Sequence, residues 1–581
     1  MLWTDEGLKT KEEALPLSEY PRPQLKRSSF LCLNGFWDFE ISKSENKPSH
    51  FSKKIRVPFS PETPLSGIQT SVVSEDVLHY RRYFDISDLD ETRRYFLHLD
   101  AVDQVADIYV NGEFCSHHEG GYDPIEVECH HLRKSGNELY VRVKDDTDNP
   151  IFPRGKQLNR RGGIWYTPTS GIWQTVWLEQ TPKDRIAFLR IASDFDNRSL
   201  SLSISLDGTF EEGEVEISFH GHLLKRVALD ASLCLTAPLE EEFHPWSPDD
   251  PALYDLSIRV NEDRVTSYFA MRKFGTISWK GHSVFALNNH PLFLNGLLDQ
   301  GYYPDGGLTP PSDAAMLQDI QSMRKLGFNM LRKHIKIEPL RFYYHCDSSG
   351  MLVIQDLVNG GAPYKKWLIV AGPFLCPKWN DEKAKIQKRF GRGNLQSKNR
   401  FAEDLKRTVS HLYNVPCIAI WTIFNEGWGQ FDARKMTSLL KEFDSSRLID
   451  SASGWADQGC GDFSSHHIYF RKISLKSDSK RILSLSEFGG YSLFLKDHSF
   501  SAKSFGYKKK RDVDELTASL ITLYRDEVVP FIDKEGLSVA VLTQWSDVED
   551  EVNGLVTYDR KVLKVREEEM IACNKEVAFH D

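Results

Sequence analysis

The stretch Ile418-Ala-Ile-Trp-Thr-Ile-Phe-Asn-Glu426 decides the architecture. Its apolar run is short, unalternating and rich in β-formers, the signature of a strand buried on both faces of a parallel sheet. It then stops on an amide and an acid. Ile482-Leu-Ser-Leu-Ser-Glu487 repeats the design. Between Ile277 and the C-terminus, six more runs alternate with helical patterns: Phe293–Leu298, Asn329–His334, Met351–Leu357, Leu448–Ser453, Asp462–Tyr469 and Ser538–Trp545. Eight such strands in roughly 300 residues predict a closed (β/α)8 TIM barrel. Ser312–Leu326 reads as its first helix, with Ser312 as N-cap and Gly327 just past the end. Two irregularities stand out. The fifth and sixth runs are too close together for a full helix between them, and a long insertion, 359–393, follows the third.

Upstream the rhythm is different. Phe36–Ile41, Tyr80–Phe84, Tyr95–Leu99, Val105–Val110, Leu139–Val143 and Thr175–Leu178 alternate apolar and polar residues, and Asn111-Gly112 is a strong hairpin signal. This segment predicts an antiparallel β-sandwich of the jelly-roll kind. A second strand-rich block, from Ile186–Ala192 to Val265–Phe269, has the size of an immunoglobulin-like sandwich. The expected division is 1–182, 183–276 and 277–581.

Composition excludes several classes. The chain has 581 residues, a net charge of −10 and no basic cluster, so neither nucleic acid nor an anionic membrane is an expected partner. No run approaches the roughly 20 apolar residues of a membrane span. Nine Cys without a CxxC pair predict reduced thiols, and the polar N-terminus has no secretory h-region, which together predict a cytoplasmic protein. A homo-oligomer is compatible with the sequence. The unusual number is the aromatic content, 12%. Trp and Tyr fill cores, but they also stack on flat apolar faces while offering a polar handle.

In a TIM barrel the active site forms at the C-terminal ends of the strands. Here those ends carry Asp299, His334, Asp356, Asn425-Glu426, Trp455, His466-His467-Ile-Tyr469, Glu487 and Trp545. Two carboxylates at two strand ends are what glycosidic cleavage requires: one protonates the leaving oxygen, while the other attacks or activates water at the anomeric carbon. An apolar wall keeps one acid protonated, and hydrogen bonds keep the other ionised.

Five motifs then resemble glycoside hydrolase family 2, the group of β-galactosidases, β-glucuronidases and β-mannosidases. They are Leu33-Asn-Gly-Phe-Trp-Asp-Phe39; Val105-Ala-Asp-Ile-Tyr-Val-Asn-Gly112 followed by His118-Glu-Gly-Gly-Tyr122; Gly171-Ile-Trp-Gln-Thr-Val-Trp-Leu-Glu179; Phe424-Asn-Glu-Gly-Trp428; and Ser486-Glu-Phe-Gly489. The resemblance implies a sugar-binding-like sandwich, an immunoglobulin-like domain and a catalytic barrel, in that order. It also implies a retaining mechanism with Glu426 as acid/base and Glu487 as nucleophile. Asn425 would bind the sugar 2-hydroxyl, Tyr469 would orient the nucleophile, and His334 would bind hydroxyls. Trp545 would floor the ring, and Asp299 lies where the first strand could hold hydroxyls. No cofactor and no required metal are expected.

For the sugar, family β-glucuronidases carry an Asn-x-Lys pair whose Lys meets the substrate carboxylate. The corresponding stretch here is Glu551-Val-Asn553, and Glu551 would repel a uronate. A β-D-galactoside is therefore the leading expected substrate, with β-glucuronide, β-mannoside and arabinopyranoside as alternatives within the family. A carbohydrate-binding protein with decayed catalysis is the alternative outside the enzyme class, against which both Glu count. The loop Asn159-Arg-Arg-Gly-Gly-Ile-Trp165 is a candidate to reach from the first sandwich over the barrel mouth.

Overall fold

The computed structural model describes residues 2–239, 243–363, 367–368, 372 and 379–580. The first sandwich packs a four-stranded antiparallel sheet on a six-stranded one. Their inner faces, among them Trp37, Leu97, Ile108, Val141 and Leu178, form one core. The hairpin turns where the sequence signalled it: Asn111 and Gly112 both have positive φ, 51° and 84°, and Val110 pairs with Glu113. The second sandwich sets a three-stranded sheet against a four-stranded one, which includes the strand His222–Ala228.

The barrel strands are β1 (Leu294–Asp299), β2 (Met330–Lys333), β3 (Leu352–Asp356), β4 (Ile418–Thr422), β5 (Leu448–Asp450), β6 (Phe463–Ile468), β7 (Ile482–Gly489) and β8 (Leu537–Thr543). All eight expected runs are strands. The parallel sheet runs in the order β5-β4-β3-β2-β1-β8-β7-β6, which leaves a seam between β5 and β6. The seam has a physical reason. No helix connects these two strands, so they lack the crossover that packs other neighbours together. Asp462 spans the gap instead, its N–H donating to the Ile449 carbonyl (2.8 Å) while its carboxylate accepts from the Ile449 N–H (2.8 Å).

The first barrel helix is Asp313–Lys325, capped by Ser312 Oγ accepting from the Ala315 N–H (3.1 Å) and closed by Gly327 at φ 93°. A short antiparallel sheet, Phe274–Trp279 with His282–Leu287, precedes the barrel and contributes Phe274, Phe285 and Leu287 to its core. Part of the 359–393 insertion (364–366, 369–371 and 373–378) lies outside the described residues, and so does Cys376. The other eight cysteines are free thiols. No helix among the described residues is long and apolar enough to cross a membrane.

Candidate active site

β4 and β7 carry the two glutamates by different means. Every residue of β7 from Ile482 to Gly489 is buried, and Glu487 lies within the strand. β4 ends earlier than expected, at Thr422, and the chain then turns. Glu426 adopts a left-handed conformation, φ 54°, which costs an L-residue on the order of 1–3 kcal/mol unless its surroundings fix it. They do fix it. The Glu426 N–H donates to the Ser453 carbonyl (2.9 Å) and the Trp428 N–H to the Asn425 carbonyl (3.0 Å). From the insertion, Asn359 Nδ2 donates to the Trp428 carbonyl, Arg392 Nε to the Gly429 carbonyl (3.0 Å), and the Phe390 ring lies under Gly427. The turn projects Glu426 into the mouth with its side chain 15% exposed.

The two carboxyls meet. One oxygen of Glu426, one of Glu487 and a ring nitrogen of His467 lie within 4.8 Å of one another. Glu487 is 5% exposed, and its partners are strong donors. Arg332, fully buried at the end of β2, donates from Nη1 to Glu487 Oε1 (3.1 Å), from Nη2 to Asn425 Oδ1 (2.9 Å) and from Nε to Asp356 Oδ1 (3.0 Å). The Tyr469 hydroxyl donates to Glu487 Oε2, and the Tyr469 ring stacks on Tyr507 at 4.3 Å. Burial alone would raise the Glu487 carboxyl, but His467, Arg332 and Tyr469 outweigh it and hold it down to about 2. Glu487 is therefore ionised across the working pH range.

His334 and Asp299, both expected near the sugar, are placed differently. His334 Nδ1 is engaged by Asp356 Oδ2 (2.7 Å), and burial pushes the imidazole toward its neutral form, which leaves Nε2 for a ligand. Asp299 has both oxygens occupied, by Lys333 Nζ (2.6 Å) and the Gly301 N–H (2.9 Å), in a buried cluster with Glu338. Trp545 is buried on β8's far end. Among the described residues its indole N–H has no partner, and neither do those of Trp428 and Trp455. Trp421 does not join them, because its Nε1 donates to Asp444 Oδ2 (2.9 Å) in the helical layer.

The first sandwich completes the mouth. The N–H groups of Arg154 and Gly155 both donate to the Asn359 carbonyl (2.9 Å), and Trp165 meets Trp428 edge-on at 5.1 Å. Tyr166 donates to Glu551 Oε2, and Asn553 Nδ2 to Glu551 Oε1 (3.0 Å). Burial raises the Glu551 carboxyl while the nearby Lys156 cation lowers it; Lys156 also acts on His334. Arg332, Asp356, Lys156, Asn359, Arg392 and His467 were not expected as site residues. Only the strand-end position of Arg332, Asp356 and His467 offered a signal, and nothing local marked the others. Glu426, His467 and Glu487 are the donor set among the described residues that is close enough to share a cation, but the Arg332 guanidinium beside Glu487 opposes one.

Two family models match the chain: the glycosyl hydrolases family 2 TIM barrel domain over residues 279–535, and the glycosyl hydrolase 2 galactose-binding domain-like over 52–157. A β-galactosidase of Thermoanaerobacter pseudethanolicus is 25% identical over 393 residues, covering 63% of this chain and 47% of that protein. The chain thus spans about half the length of that relative. Among solved structures, a β-glucuronidase of an uncultured Clostridium superposes with TM-score 0.74 at 16% identity, over 95% of this chain and 98% of that one. A family 2 β-galacturonidase of Eisenbergiella tayi superposes with TM-score 0.70 at 16% identity, over 98% and 100%.

Proposed function

The chain belongs to glycoside hydrolase family 2, and from that premise we propose that it is a retaining exo-β-glycosidase acting on terminal β-D-galactosides. The observation that carries the reaction is the close pair of unlike carboxyls. Retention needs carboxyl groups about 5–5.5 Å apart, whereas inversion needs room for a water between them, about 6.5–9.5 Å. Oxygens of Glu426 and Glu487 within 4.8 Å of each other fit the first case. Glu487, ionised by Arg332 and Tyr469, attacks the anomeric carbon while Glu426 gives its proton to the leaving oxygen. The glycosyl ester on Glu487 is then hydrolysed by a water that Glu426, now a carboxylate, deprotonates. Asn425, fixed by Arg332, is set to bind the 2-hydroxyl, and the Trp545 face to receive the ring.

The preference for a neutral sugar rests on Glu551. Its buried carboxyl opens Glu551-Val-Asn553, the stretch that resembles the Asn-x-Lys pair of family β-glucuronidases but carries no Lys, and its oxygens accept from Tyr166 and Asn553. A uronate carboxylate beside it would add a second negative charge in a water-poor pocket. One observation favours a β-uronide instead: the first sandwich delivers Lys156 close to both Glu551 and His334. A panel of nitrophenyl glycosides separates the two. The expected result is hydrolysis of the β-galactoside above the β-glucuronide and β-galacturonide. Cleavage of uronides alone, abolished by Lys156→Ala, would overturn the neutral-sugar reading.

A further inference from the structure

β6 and β7 are paired so that His467 stands directly opposite Glu487, with a bulge between His466 and His467 that re-aims the strand. The His467 side chain has no exposed surface. Its Nδ1 lies 2.9 Å from Glu426 Oε1, and its Nε2 lies 3.1 Å from Ser453 Oγ and 3.6 Å from Glu487 Oε1. One imidazole therefore sits between the acid/base and the nucleophile, hydrogen-bonded to the first and facing the second.

The ring is built into place. Ser453 binds it through Oγ and, through its carbonyl, binds the Glu426 N–H, so His467 and Glu426 share one anchor. Gly454, at φ 91°, passes so close that a Cβ would meet the ring at 2.8 Å. Trp455 closes the edge, its ring centroid 6.0 Å away. A side chain held on three sides against both carboxyls is more than core packing requires.

We propose that His467 is a positioning residue for the general acid: donating from Nδ1 to Glu426 Oε1, it fixes the orientation of the Glu426 carboxyl. This rests on the roles given above to Glu426 and Glu487. Ser453 Oγ, 3.1 Å from Nε2, holds the other side of the ring. When the glycosidic bond breaks, the Glu426 carboxyl proton passes to the leaving oxygen, and the same Nδ1–H then stabilises the new carboxylate. A proton from the attacking water restores the acid. Acid and base thus use one geometry, with no movement of the turn. Among the described residues, the charged or titratable groups around His467 are Glu426, Glu487 and His466, together with Asp450 from β5, which is itself within reach of Arg332.

The sign of the pH effect follows. Removing the Nδ1–H takes away a donor that stabilises the Glu426 carboxylate, so the alkaline limb of kcat/KM moves to higher pH. The test measures pH profiles for His467→Ala, His467→Asn and Ser453→Ala on aryl glycosides with poor and with good leaving groups. The expected result is a roughly 10²-fold loss on phenyl glycosides for His467→Ala, a loss of about tenfold or less on dinitrophenyl glycosides, and the shifted limb. Asn, which restores a donor near Nδ1, recovers part of the phenyl activity. If His467→Ala does not fold, the Asn and Ser453→Ala variants carry the test. Equal losses on both leaving groups with an unmoved limb would overturn the proposal. Glu426→Gln and Glu487→Gln run beside them: if those two keep turnover, the roles of the glutamates fail, and if they collapse while the limb stays put, His467 alone fails.

Discussion

The end of β4 and the end of β7 read alike in sequence, each an apolar run stopping on a glutamate, yet the molecule treats the two acids in opposite ways. Glu487 stays inside its strand, deeply buried, gripped by Arg332 and Tyr469 and held ionised at about 2. Glu426 leaves its strand on a left-handed turn, is partly exposed, and is braced through its backbone by Ser453 and through neighbouring carbonyls by Asn359 and Arg392. A nucleophile must be charged and immobile, whereas an acid/base must exchange its proton with a leaving group and with water. The difference between these two strand ends is the one that the proposed roles, nucleophile for Glu487 and acid/base for Glu426, would require.

The strongest way to break the comparison is to remove each carboxyl. Glu487→Gln should lower kcat on the order of 10⁴-fold for every leaving group, because no covalent step remains. Glu426→Gln should lose roughly 10²- to 10⁴-fold on phenyl glycosides but far less on dinitrophenyl glycosides, which need no proton. Identical losses across leaving groups for both variants would erase the distinction, as read from steady-state kinetics.

Next is Arg332→Lys, which keeps the charge but loses the fork that reaches Glu487, Asn425 and Asp356 together. Turnover should fall roughly 10²-fold, and Glu487 should titrate nearer its ordinary value. The ionised form of Glu487 favours folding above the ordinary carboxylate range, and that contribution fades as pH falls toward about 2. In the variant, both the acid limb of kcat/KM and the onset of acid unfolding should move to higher pH. An acid limb that stays in place would show that Arg332 does not set the nucleophile's charge.

Tyr469→Phe removes one donor from Glu487 and leaves the aromatic stack on Tyr507. A loss of roughly tenfold to 10²-fold in kcat is expected, with KM little changed. The smallest effect belongs to the Glu426 side. Asn359→Ala frees the carbonyl of Trp428 and loosens the turn, for a loss of about tenfold, greater on poor leaving groups than on good ones. Loss of all activity together with folding, seen by circular dichroism, would mean that Asn359 holds the domains together rather than the turn.

Much of this could be read from local pattern. Strand existence follows from short apolar runs, and Ser312 with Gly327 marked the first helix. The two glutamates were visible because barrel chemistry gathers at strand ends. What escaped depends on pairing across the sheet or between domains. In Leu331-Arg-Lys-His334 the sequence cannot say which cation enters the site, and the structure sends Arg332 to Glu487 while Lys333 neutralises Asp299. Asp299 therefore looked available although both its oxygens are taken. His467 depends on a bulge that shifts the register opposite Glu487. Lys156, Asn359 and Arg392 come from a sandwich loop and an insertion whose positions no periodicity encodes. Trp421 sits in the same apolar run as Glu426, yet it faces the helices, which proximity in sequence could not show.

Glu426 and Glu487, with oxygens within 4.8 Å of each other, lie too close for the intervening water that inversion needs. Proton NMR on whichever aryl β-glycoside the panel shows to be turned over tests this directly, by identifying the anomer released first. The β-anomer should form first and then mutarotate; first release of the α-anomer would mean that the reaction inverts.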